Sequence, residues 1–238
     1  MTRKLFTSAL YAGLAAGLVA ALLQIWLLVP IILKAEQYES GELVHFINPS
    51  AADPEVAAVG VAETSGLAKA EGLFQRNALT FFMNFVTYTG FALLLVVGFA
   101  IAERAGHKIA PRQGVIWGAA AFVALHLAPA IGLPPELPGV PAADLFARQV
   151  WWVITVILAV VALLLLGFVK GPVAIASAVA LFLAPQLVGA PELASYGGAP
   201  PPELGALFAA RSMSVSAVIW LTLGSVAGYF WRRSDIAA

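Results

Sequence analysis

The apolar positions of this chain are gathered into six blocks separated by shorter polar stretches. The blocks are Leu5–Leu33, Ala78–Ala102, Val115–Leu133, Val150–Val169, Val173–Val188 and Ser212–Trp231. A helix that crosses a hydrocarbon layer of ~30 Å needs about 20 mostly apolar residues, because it rises ~1.5 Å per residue. Each block meets or approaches that length. The fifth is the shortest and is bounded by Pro172 and Gly189, so it is the one whose failure to cross would leave five spans.

The junctions between blocks repeat. Leu127-Ala128-Pro129 is followed by Pro135-Glu136-Leu137, and Leu183-Ala184-Pro185 is followed at the same spacing by Pro191-Glu192-Leu193. The blocks after them open on Leu145-Phe146-Ala147-Arg148 and Leu207-Phe208-Ala209-Ala210-Arg211. A fainter copy has Val29-Pro30 ahead of Glu36, with Leu73-Phe74-Gln75-Arg76 as its re-entry. The pattern predicts an all-α integral membrane protein with six transmembrane helices, five being possible, arranged as three helical-hairpin repeats. These cover approximately residues 5–102, 114–169 and 172–231 of a single membrane domain, 1–238. A long extracytoplasmic loop occupies 34–77, and its Glu55–Arg76 part has the composition of a helix running into the second span.

Composition strengthens this reading. Hydrophobic residues make up 61% of the 238 residues and charged residues 11%, with a mean hydropathy of +0.91. A soluble domain carries roughly 25% charged residues, so this chain cannot cover itself with water. The apolar run after the basic start Met1-Thr2-Arg3-Lys4 is about twice a signal-peptide core of roughly 7–15 residues, which predicts a retained anchor. Net charge is zero and there is no cysteine. That argues against a nucleic-acid surface and excludes disulfides and thiolate ligands.

Charge also orients the chain. Eight of the 13 basic residues (Arg3, Lys4, Arg104, Lys108, Arg112, Lys170, Arg232 and Arg233) fall at the termini and in the connections between hairpins, with only Glu103 and Asp235 beside them. The hairpin tips hold most of the acids. Lys and Arg collect in cytoplasmic loops, so both termini are expected in the cytoplasm of a cell whose inner membrane the protein spans. Gly13 and Gly17, Gly114 and Gly118, and Ala174 and Ala178 form small-xxx-small pairs that let helices approach closely in lipid. Trp26, Trp117, Trp151, Trp152 and Trp231 lie towards block ends, where interfacial anchors are expected.

Two constellations could carry chemistry. If the hairpins surround a pseudo-threefold axis, Glu36, Glu136 and Glu192 form an acidic ring at the outer mouth, with Asp144 nearby and Arg76, Arg148 and Arg211 beneath. One reading is a vestibule that concentrates cations. The other is that each glutamate pairs with an arginine and pins a hairpin tip. His126 is the one imidazole inside an apolar block. Ionisable residues there mark function by default, and imidazole suits divalent transition metals. Pro129 also opens the helix locally, and His126 could serve polar groups at that kink. His45, among acids of the long loop, is a further candidate. No HExxH, phosphate-loop or glycine-rich nucleotide motif is present, so neither an enzyme nor an ATPase is indicated.

The segments ALYAGLAAGLVAALLQIWLLVPIILKAEQYE, WGAAAFVALHLAPAIGLPPELPG and ARQVWW resemble the CbtA family of bacterial membrane proteins. The resemblance implies a cobalt transporter subunit linked to cobalamin synthesis, with a small histidine-rich partner, CbtB. It implies five membrane segments where the blocks give six. Together these give a permease subunit for divalent cobalt. Its expected associates are membrane lipid, the metal ion as cargo rather than cofactor, the CbtB-like partner and a possible second copy. Its metal-contacting residues are expected to be His126, Glu36, Glu136, Glu192 and Asp144. The alternative is a non-conducting scaffold subunit.

Overall fold

A computed structural model describes residues 2–44, 66–193 and 197–236. Six helices account for the fold: α1 (Thr2–Glu39), α2 (Gly66–Arg104), α3 (Pro111–Ala130), α4 (Leu145–Phe168), α5 (Pro172–Val188) and α6 (Pro202–Ile236). Five contain stretches long and apolar enough to cross a membrane, and α5, with 17 residues, is the shorter sixth. His45, Asp53, Glu55 and Glu63 lie outside the described residues.

Local chemistry sets the helix ends. Proline opens α3, α5 and α6 as Pro111, Pro172 and Pro202, where its missing N–H has no intrahelical partner to lose. Asp144 caps α4 by accepting from the Ala147 N–H at 2.9 Å. Gly106 and Gly189 follow α2 and α5 at φ of +89° and +86°, backbone that a side chain would strain.

Two of the helices are not uniform. Gln24–Leu28 in α1 and Val123–Leu127 in α3 are single π-turns, each ending two residues before a proline, Pro30 and Pro129. Proline removes a backbone donor and crowds the preceding turn, and the widened turn accommodates it. The next N–H reaches back five residues, Val29 to Gln24 and Ala128 to Val123.

Small residues control the packing. At Gly17 an added Cβ would lie 2.9 Å from the Phe85 Cα, and at Gly13 it would meet Thr89, so α1 and α2 touch backbone to backbone. The same holds between α3 and α6. A Cβ on Gly228 would be 2.8 Å from the Gly114 Cα, and one on Gly224 equally close to the Gly118 Cα. Around these seams sits a core containing Val96, Phe99, Ile219, Leu223 and Trp231. Leu94, Val173 and Leu187 point outwards, at 70%, 78% and 83% exposure. An apolar exterior of this kind belongs in lipid.

The helix pairing differs from the threefold expectation. α1 packs on α2 and α6, α3 on α6, and α4 on α5. The arms of the third predicted hairpin, α5 and α6, make at most marginal contact. The α4–α5 pair instead leans on the π-turn and last turn of α3, where Ala124, Ala128 and Ala159 form a small core.

Two tryptophans expected as interfacial anchors are interior. Trp231 is fully buried and Trp151 nearly so, because each indole N–H has an acceptor inside the protein: Glu103 at 2.6 Å for Trp231, the Pro185 carbonyl at 3.3 Å for Trp151. Trp26, by contrast, is 74% exposed.

Candidate functional site

Near the three prolines Pro30, Pro129 and Pro185, side chains from other helices donate to backbone carbonyls. Arg211 Nη1 of α6 donates to the Leu27 carbonyl of α1 at 3.2 Å. Gln186 Nε2 of α5 donates to the Ala128 carbonyl of α3 at 3.0 Å. Trp151 Nε1 of α4 donates to the Pro185 carbonyl of α5. The Pro185 carbonyl also accepts from the Gly189 N–H at 3.1 Å, and the three side-chain bonds tie these helix ends together. Gln186 carries no motif, and its only signal in the sequence is an amide placed directly after a proline within an apolar helix.

The connections at this end converge. Ile31 and Ala35 of α1, Leu137 from the turn after α3 and Leu204 of α6 form a satellite core. The Ala199 N–H donates to the Gly139 carbonyl at 3.3 Å, joining the turns before α4 and α6. Above this platform lies a pocket of about 330 Å³ lined by Gly132, Leu133, Ala143, Pro191, Glu136 and Glu192, among others. Two of the three predicted glutamates therefore share one cavity.

Glu36 is not among the residues lining it. It pairs with Arg76 of α2 at 3.3 Å, both side chains more than a third exposed. Glu136 pairs with Arg148 of α4 at 2.7 Å in a more sheltered setting. Two of the three expected Glu–Arg pairs thus form within their own hairpins. The third arginine, Arg211, serves the Leu27 carbonyl instead, and Glu192 makes no ion pair among the described residues. The Asp144 carboxylate is engaged as the cap of α4. The pocket thus carries two carboxylates against one guanidinium.

His126 lies in the π-turn of α3, half-buried, with ring centroids 6.2 Å from Phe122 and 6.1 Å from Trp220. No group of three or more His, Asp or Glu side chains that could hold a metal ion occurs among the described residues. A separate polar group within the apolar segments joins α1 and α2: Asn84 Nδ2 donates to Gln24 Oε1 at 2.8 Å and to the Thr80 carbonyl at 2.9 Å.

Residues 2–232 match the family described as CbtA, probable cobalt transporter subunit. The match covers nearly the whole chain, and the chain belongs to this family. No curated protein and no solved structure matches it.

Proposed function

We propose that this member of the CbtA family is the multi-pass permease subunit through which divalent cobalt enters the cell in support of cobalamin synthesis. The observation that carries the reading is the shared pocket of Glu136 and Glu192 at the acidic end, with one carboxylate in excess of its arginine. Carboxylates alone bind such cations weakly and without strong selection. They would raise the local cation concentration and release it again, as an entry vestibule requires. The basic end, with Lys108, Arg112, Arg232 and Arg233 exposed, would face the cytoplasm under the positive-inside rule and place the protein in the inner membrane. His126, behind the pocket on α3, would lie along the path. High-affinity capture would fall to a small histidine-rich membrane partner.

A second reading, a non-conducting subunit that stabilises a partner transporter, is favoured by one specific observation. The α3 and α6 backbones touch at Gly114, Gly118, Gly224 and Gly228, which closes that seam to any ion. Purified protein in liposomes, with and without the histidine-rich partner, separates the two readings. Cobalt accumulation that needs this chain and falls at least tenfold in Glu136→Gln/Glu192→Gln supports the permease. Uptake by the partner alone, unchanged by adding this chain, leaves only the scaffold.

A further inference from the structure

α2 and α4 do not close on each other in front of α3. Between them runs a crevice of about 420 Å³, walled by Leu95 and Leu163 and floored by Trp117. Its deep end is closed by Phe91 and Trp220, whose ring centroids are 5.2 Å apart. Its other end lies at the basic end of the bundle, beside His107 and Lys108. Helical rise gives its length: Phe91 and Ala102, both lining it, are ~16 Å apart along α2 at ~1.5 Å per residue. That is about half of a ~30 Å hydrocarbon layer. A partner's spanning helix would need twice the depth, whereas the acyl chain of one leaflet reaches this far.

The mouth has the complementary charge. Lys108 lines this end and Arg112, the second residue of α3 and next to the lining Gln113, follows it; both are exposed and have no carboxylate partner among the described residues. The carboxylate closest in sequence, Glu103, is engaged by Lys4 at 3.1 Å and by the Trp231 N–H. The His107 ring lies 4.8 Å from that of Phe168 and holds the α2–α3 turn over the end of α4. Basic pockets between transmembrane helices suit phosphate-bearing headgroups. We infer that this crevice binds one anionic phospholipid, its phosphate at Lys108 and Arg112 and one acyl chain running inwards to Phe91 and Trp220.

Native mass spectrometry of the full chain in detergent tests this, with phosphatidylglycerol and phosphatidylcholine of identical acyl composition as probes. One phosphatidylglycerol per chain is expected to be retained at least about fivefold over phosphatidylcholine, the factor corresponding to about 1 kcal/mol for a basic residue near a headgroup. Lys108→Gln/Arg112→Gln should bring the preference close to one. Gly167→Phe should remove the retained lipid whatever its headgroup, because Gly167 lines the crevice and a side chain there enters open space. Native protein gives a readout independent of the variants: brominated phosphatidylglycerol should quench tryptophan fluorescence with saturation at one per chain, and brominated phosphatidylcholine should not. Equal retention of both lipids, retention undiminished in a folded Gly167→Phe, competition by inorganic phosphate alone, or a partner polypeptide cross-linked within the crevice would each overturn the assignment.

Discussion

Lys4 Nζ sits 4.0 Å above the Trp231 ring and 3.1 Å from Glu103, bringing the start of α1, the end of α2 and the end of α6 to one place. The Trp231 N–H completes the knot on Glu103 Oε1 at 2.6 Å, and the Phe99 ring packs edge-on at 5.7 Å. Both ends of the described chain therefore lie at the same end of the bundle, which requires an even number of traversals. α4 ends beside His107 at the basic end, and the Ala199 N–H meets the Gly139 carbonyl at the acidic end before α6 begins. The 17-residue α5 must carry the chain across between them. Six traversals result, one of them by a helix near the lower limit of a spanning length.

Glu103→Ala would remove one partner of the Lys4 ammonium and the acceptor of the Trp231 indole. The expected loss is about 1–3 kcal/mol, read as a lower midpoint of thermal unfolding in detergent. Trp231→Phe keeps a ring against Phe99 and should lose less than Trp231→Ala. A midpoint unmoved by Glu103→Ala would mean that the knot reports proximity without contributing to stability.

The helices were legible because lipid imposes a length and a polarity, and each apolar block falls largely within one helix, although α2 and α6 begin well before their blocks. Of the Pro–Glu junctions, one clear copy gives the Glu136–Arg148 pair and the fainter copy gives Glu36–Arg76, whereas Glu192 of the other clear copy does not meet Arg211. The symmetry of the repeats did not predict packing. Contacts in lipid are selected by which backbones can approach, and Gly224 and Gly228 of α6 match Gly114 and Gly118 of α3 better than anything on α5 does. Nor could sequence assign Arg211 to the Leu27 carbonyl, 184 positions away.

The glycine seam makes a sharp contrast testable. Gly118→Leu and Gly224→Leu each place a side chain against backbone that has no room to move, and should abolish the folded, monodisperse protein in detergent. Gly90→Ala, where an added Cβ meets nothing within 4 Å, should be neutral or stabilise by about 0.4–1 kcal/mol. Size-exclusion profiles and melting midpoints decide. If Gly224→Leu melts like native protein, α3 and α6 are not in backbone contact.

The carbonyl-capping side chains should behave alike although they share no motif. Gln186→Leu removes the side-chain donor of the Ala128 carbonyl, and Arg211→Leu that of the Leu27 carbonyl, each costing about 1–3 kcal/mol. Arg211→Lys keeps a donor and should recover part of the loss. Hydrogen exchange at the two kinks gives a local readout: exchange should quicken around residues 123–130 in Gln186→Leu and around residues 24–31 in Arg211→Leu, not in both regions at once.

His126 separates a packing role from a transport role. Its ring lies nearly parallel to Phe122 and near Trp220, and it makes no hydrogen bond among the described residues. A phenyl ring at this position would preserve the stacking and remove the nitrogen atoms. His126→Phe should therefore leave the melting midpoint within about 0.5 kcal/mol of native, the range of a tolerated substitution, whereas His126→Ala opens a void beside Trp220 and lowers it. If the imidazole contacts cobalt on its way through, both variants lose uptake in cells at equal protein level, and the stable His126→Phe loses it as fully as His126→Ala. If uptake instead follows the melting midpoint, with Phe restoring what Ala removes, the ring matters for its shape alone. The metal path, should the chain have one, then runs from Glu136 and Glu192 without His126.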